Sequence, residues 1–203
     1  MHINFDELST NQRYHLLTQT IVPRPIAWVL SRNSDETLNL APFSFFNAMC
    51  SDPPLLALSI GNKEKGAPKD TAVNLLSGRE FVIHIASTEM AAELTKTAAT
   101  LEYGVSELQI SDLQLSDDSK QSMPRLSDCS IAYHCKLYDH HSIGPNGQTI
   151  IYAEVISLYM NDAICEIDGT RITVDANRLN PLSRLGAAQY AGIEAAFTVK
   201  RPK

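Results

Sequence analysis

The chain of 203 residues lacks the fingerprints of the commonest nucleotide sites. It contains no GxGxxG and no GxxxxGK[ST], so neither a Rossmann dinucleotide site nor a P-loop is supported. GxSxG and HExxH are absent too, which leaves no nucleophile elbow and no zinc-binding helix to read. Cysteine is scarce: Cys50, Cys129, Cys135 and Cys165 form no CxxC pair and sit among apolar or mixed residues. Four reduced, mostly buried thiols are expected. Basic charge is in deficit, with 17 Lys and Arg against 23 Asp and Glu and a net charge of −6. That balance argues against nucleic acid as a partner. Long apolar runs are missing. The longest, around Leu55 to Ile60, is far too short to cross a bilayer, and the opening MHINFDELSTNQRYHLL lacks the basic and apolar regions of a leader. A soluble, cytoplasmic protein with no membrane anchor is the expectation. Of six histidines only His140 and His141 are adjacent. Neighbours on a strand point to opposite faces, so no metal site is expected.

What remains is an ordinary globular composition, 44% hydrophobic and 20% charged. Size scaling gives a folded surface of roughly 9,400 Å² against about 32,000 Å² for the extended chain, enough burial for a real core. A single domain over residues 1–203 fits this length. Short β-rich runs dominate. They are Ile26 to Leu30, Leu38 to Phe46 (with Pro42 marking an edge or a bulge), Leu55 to Ile60, Glu80 to Ala86, the alternating Cys129 to Leu137, and Thr149 to Met160. Gly144-Pro145-Asn146-Gly147 makes a hairpin of the last two. Arg171 to Asp175 can add another strand. Short helices are predicted over Asp6 to Leu17, Ala72 to Leu76 (with Asp70 or Thr71 as cap and Gly78 after its end) and Glu89 to Thr97. Tyr103 to Asp128 is polar and long for a connection, so it reads as an arm or lid. Helices do not follow every strand. The pattern therefore points to a mainly β fold, an antiparallel sheet or small barrel with helical decoration, and away from a doubly wound parallel sheet.

Three clusters carry candidate chemistry. Pro68-Lys69-Asp70-Thr71 with Asn74 places a lysine and a hydroxyl beside a helix start, a combination suited to an anion. Asn39-Leu40-Ala41-Pro42-Phe43-Ser44-Phe45-Phe46-Asn47 mixes aromatic faces with amides and hydroxyls, the mixture a flat heteroaromatic ligand needs. Arg24-Pro25-Ile26-Ala27-Trp28 leads to Ser31; the tryptophan reads as core, and the serine hydroxyl is the better ligand contact.

In this order the segments PRPIAWVLS, NLAPFSFFNAMCSDPP, KDTAVNLL, GREFVIHIAS and PLSRLGAAQY resemble the flavin reductase-like FMN-binding split-barrel family, which includes flavoredoxin and the reductase components of two-component monooxygenases. The resemblance implies a split β-barrel, antiparallel and of Greek-key type, with short peripheral helices. It implies a homodimer with one FMN per subunit near the dimer interface. By motif position, Ser31 and the stretch holding Asn39, Ala41, Pro42, Phe43, Ser44, Phe45 and Asn47 line the flavin. Lys69, Asp70, Thr71 and Asn74 lie near its phosphate and ribityl chain, and Arg184 and Tyr190 lie near the pocket. The sequence departs from the family at Ala187, where a second glycine is usual, at His84, where Asn is commoner, and at Ser106-Glu107-Leu108, where Asp-Glu-Phe is usual.

The implied activity is NAD(P)H-dependent flavin reduction. NADH or NADPH passes hydride to FMN, and electrons go on to a second flavin, a ferric chelate or a redox partner protein. Such chemistry is borne by the flavin and calls for no catalytic side chain. The alternatives are a flavoredoxin-like electron carrier, or an FMN-binding module, with no nicotinamide activity of its own, or a barrel that has lost its cofactor.

Overall fold

Period-two alternation organises the molecule into one large antiparallel sheet. The computed structural model describes residues 1–102, 104–200 and 202. In chain order its strands are β1 (Ala27–Arg32), β2 (Leu38–Phe43), β3 (Phe46–Ser51), β4 (Pro54–Ile60), β5 (Phe81–Ile85), β6 (Ile131–Ile143) and β7 (Gln148–Met160). They lie side by side in the order β2-β1-β5-β6-β7-β4-β3. The two edges of the sheet are thus neighbours in sequence, separated by Ser44 and Phe45 alone. No ladder joins them among the described residues. The result is a barrel open along one seam.

β1 is buried along both faces, which is why its sequence is a continuous apolar run. Trp28 and Leu30 pack with Leu40, Val82, Leu94 and Leu126 on one side. Ala27 and Val29 pack with Phe43, Leu58, Ile83 and Ile151 on the other. Trp28 is core, as expected, and its Nε1–H donates to Thr97 Oγ1 at 2.9 Å. Helix α2 (Asp70–Leu76) presses Ala72 and Leu75 onto the second cluster. Helix α3 (Ala91–Lys96) brings Leu94 to the first, with Met123 and Leu126 of the arm.

Several boundaries differ from expectation. A 3-10 turn over Phe5–Glu7 precedes α1 (Thr10–Thr20), because Ser9 and Gln12 close a capping box that starts the helix later. The expected strand from Leu38 to Phe46 divides at Ser44 into β2 and the start of β3. Pro42, expected to mark an edge or a bulge, marks the edge. It stays in register opposite Trp28, on an edge strand where a missing N–H costs no ladder bond. β3 shows no apolar alternation, since every residue after Phe46 is exposed. The cap of α2 is Lys69, and neither Asp70 nor Thr71 serves. The Glu89 to Thr97 helix is a 3-10 turn over Thr88–Met90 followed by α3. β6 runs on to Ile143, so His140 and His141 stand exposed on a strand and not in a loop. The hairpin with β7 forms as predicted, and Arg171–Val174 pairs with Cys165–Asp168. All four cysteines are free, but Cys50 is exposed and Cys165 partly so; only Cys129 and Cys135 are buried. In the arm, a 3-10 turn covers Glu107–Ile110 and Leu115–Ser116 pairs with Arg125–Leu126. Tyr103, where the arm was expected to begin, lies outside the described residues.

Candidate functional site

An edge strand has one row of backbone groups with no ladder to join, and along β2 these groups meet the arm. The Leu40 N–H donates to Glu107 Oε2 at 2.8 Å. A cleft of about 530 Å³ lies between the two. Asn39, Ala41, Pro42 and Phe43 of β2 form one wall. Lys69, Asp70 and Thr71, with Lys63 from the preceding loop, form the end. Residues 97–101 and Glu107 close the far side.

Behind this wall is a buried amide-hydroxyl network. Asn39 Nδ2 donates to Thr71 Oγ1 at 2.9 Å, and Asn74 Nδ2 donates to Asn33 Oδ1 at 2.7 Å and Ser31 Oγ at 3.1 Å. All five residues are 4% exposed or less. The network fixes α2 against β1 and β2, as satisfied buried polar groups do. Ser31 and Asn74 therefore do not line the cleft and stand one layer behind its wall.

The charges in the cleft are unevenly paired. Lys63 Nζ lies 2.5 Å from Asp70 Oδ1. Lys69 has no carboxylate partner among the described residues; its Nζ lies 5.6 Å from the Phe43 ring centroid. Burial of the ammonium, and secondarily the charge of Lys63, push the Lys69 pKa below the usual lysine value. Glu107 is 5% exposed. Burial raises its pKa, the Leu40 N–H works against that rise, and Asp70 adds to it. Sequence reasoning had not placed Lys63, Glu107 or the segment from Thr97 to Leu101 at the site. Their signal was weak, because each lies in a polar stretch whose path over β2 is set by tertiary packing.

Beyond Pro42 and Ala98 a second cavity of about 510 Å³ opens, lined also by Tyr14, Ser44, Arg184 and Tyr190. Arg184 and Tyr190 thus meet each other and Ser44, one wall away from Lys69. Phe45 and Asn47 lie elsewhere again, on an apolar hollow with Leu17, Ile21 and Pro25. Among the described residues no three His, Cys, Asp or Glu side chains cluster as a metal site. Burial pushes the Cys129 thiol up to about 12 and raises Cys135 as well, so neither is a ready nucleophile. Among the described residues no helix is long and apolar enough to cross a membrane.

The open antiparallel barrel is of the split-barrel class. The chain belongs to the family described as flavin reductase like domain, which matches residues 19–167. It is 35% identical to the protein YwrF of Bacillus subtilis (strain 168) over 202 residues, 97% of each chain. Among solved structures it is similar to nitrilotriacetate monooxygenase component B from Bacillus cereus, with 30% identity, a TM-score of 0.89 and 98% of each chain covered. It is also similar to the 2-nitrobenzoate 2-nitroreductase NbaA of Pseudomonas fluorescens, with 28% identity, a TM-score of 0.87, and 100% of this chain and 96% of that one covered.

Proposed function

We propose that this protein is an FMN-binding oxidoreductase that takes electrons from NADH or NADPH and passes them to an acceptor. The observation that carries this reading is Lys69, an ammonium at the end of the cleft with no carboxylate partner among the described residues. A phosphate supplies the missing charge. Ala41, Pro42 and Phe43 offer an apolar wall to a ring, with Lys69 and the Lys63–Asp70 pair at its end. Bound FMN supplies the hydride and electron relay itself. The protein's part is to orient the ring and shield one face with the arm.

Similarity to a monooxygenase component supports a redox partner protein as the acceptor. Four free cysteines suit a reducing cytoplasm. A homodimer is supported by surface area: the single chain exposes 12512 Å², about a third more than the roughly 9,400 Å² expected for a compact monomer of this mass. The deciding experiment is the visible spectrum of the purified protein before and after anaerobic addition of NADH or NADPH. A bound flavin that bleaches with either supports the reading. A flavin that bleaches only with a low-potential protein donor makes the chain an electron carrier, and a colourless preparation that takes up no FMN defeats the proposal.

A further inference from the structure

The strongest unexplained feature outside the cleft is a pair of arginines. Arg24 and Arg184 sit directly opposite each other across a short antiparallel ladder. Like charges in that position repel. Neither has a carboxylate within ion-pair distance among the described residues, where the recorded pairs all involve other cations. Arg24 is 6% exposed, and its donors are taken by neutral groups. It bonds the Thr18 carbonyl, the Ile21 carbonyl at 2.9 Å and the Leu185 carbonyl at 3.0 Å, with a weaker contact to Ser44 Oγ at 3.4 Å. Burial lowers its pKa, Tyr14 works against that fall, and Arg184 adds to it.

Arg184 is differently placed. Its guanidinium lies 4.5 Å from the Tyr190 ring centroid and donates one bond, at 2.6 Å, to the Ala187 carbonyl. One face is covered by an aromatic ring, which leaves most of its five N–H donors for other partners. It lines two cavities that share Tyr14, Ser44 and Arg184: the one beyond Pro42, and a second of about 600 Å³ that runs toward His15 and Arg24. The rings of Tyr14, Tyr190 and Pro42 line this space. The slot therefore combines an uncompensated positive charge with a hydroxyl and ring-bearing walls.

We propose that this slot binds the negatively charged group of a ligand that also carries a flat aromatic ring, a carboxylate or a phosphate, with Arg184 as the residue that receives the charge. Because the slot shares Pro42 and Ala98 with the cleft, that ligand is the second substrate of the reaction; this part of the inference rests on the flavin reading above. The charge arithmetic is independent of it. A ligand of this kind cancels the repulsion between the two arginines, and an uncharged ring does not.

The test is calorimetric titration of the FMN-loaded full-length protein at low salt with benzoate, AMP and, as the uncharged ring, benzyl alcohol. Arg184→Gln and Arg184→Lys variants are titrated alongside. Saturable binding of benzoate or AMP is expected, with benzyl alcohol binding at least tenfold more weakly. The loss in Arg184→Gln is about tenfold or more, as for a charged hydrogen bond, and Arg184→Lys recovers most of it. Binding of AMP alone identifies a nucleotide phosphate as the source, and binding of benzoate alone an aromatic acid. No saturable binding of either anion, or equal binding by wild type and Arg184→Gln, overturns the proposal. If the protein takes up no FMN, the flavin reading fails separately, and the same titrations on flavin-free protein still decide the anion slot.

Discussion

Lys69 and His84 are both pushed away from their ordinary titration, with different consequences. Lys69 is short of a counter-charge, so Lys69→Ala is expected to weaken FMN binding by about tenfold or more while leaving riboflavin within a few-fold, because only FMN carries phosphate. Fluorescence titration of both flavins checks this, and equal losses would place Lys69 away from the phosphate. His84 is fully buried, and burial holds its pKa down at about 3. Its Nε2 accepts from the Leu126 N–H at 2.9 Å, so Nδ1 carries the proton and donates to the Trp28 carbonyl at 3.1 Å. The unfolded chain takes up a proton near pH 6.5 that the folded chain refuses. Stability from this group is therefore complete above pH 6.5 and falls as pH drops toward 3, by about 2 kcal/mol at pH 5. His134, also lowered by burial, adds with the same sign. His84→Asn offers a donor and an acceptor without the proton, so its melting temperature is expected to fall less between pH 7 and pH 5 than that of wild type. Parallel curves would show that His84 does not carry the effect. Ala187 sits at φ 53°, a left-handed conformation, on an exposed turn. Ala187→Gly removes that strain and is expected to stabilise by about 1 kcal/mol, read as a melting temperature raised by a few degrees.

At the scale of elements, the arm and the edge strand are joined through Glu107. Its carboxyl pKa is raised by burial. Folding is thus favoured most below the ordinary value of 4.5, and the advantage declines as pH rises from there through the folded value. This slope opposes that of His84, so the two are separated only by variants. Glu107→Gln keeps an acceptor for the Leu40 N–H and loses the charge. It is expected to melt above wild type at pH 8, with the gap closing toward pH 4; a constant gap would mean the carboxyl is not the cause. Elements were legible in the sequence where burial was one-sided or complete. The β6–β7 hairpin shows clean alternation, and β1 and β4 show compact apolar runs. β3 was not legible, because it is an exposed edge with no face to mark. The site divided in the same way. Lys69, Thr71 and the Asn39 to Phe43 wall follow from local composition. Glu107 and Lys63 reach the cleft through chain paths that only the packed molecule specifies. Gly186 shows a similar dependence: a Cβ there would lie 2.2 Å from Gln19 Cγ, so α1 rests directly on the tail backbone.

For the whole molecule, the excess surface of the single chain and the exposed edge at β3, where Met49 is 59% exposed, support the proposed homodimer. Wild-type protein is expected to sediment as a dimer, and Met49→Lys to shift it toward monomer. A wild-type monomer at micromolar concentration would end the dimer proposal.

The unzipped side between β2 and β3 has one more consequence. Among the described residues no backbone ladder spans that line, so side chains hold it, and a bound cargo would add to them. A molecule seated along β2 acts as a keystone for the lip of the barrel. Amide protons of Asn39, Leu40, Ala41 and Phe43 would then exchange with deuterated water more slowly when loaded, while those of β1 would hardly change.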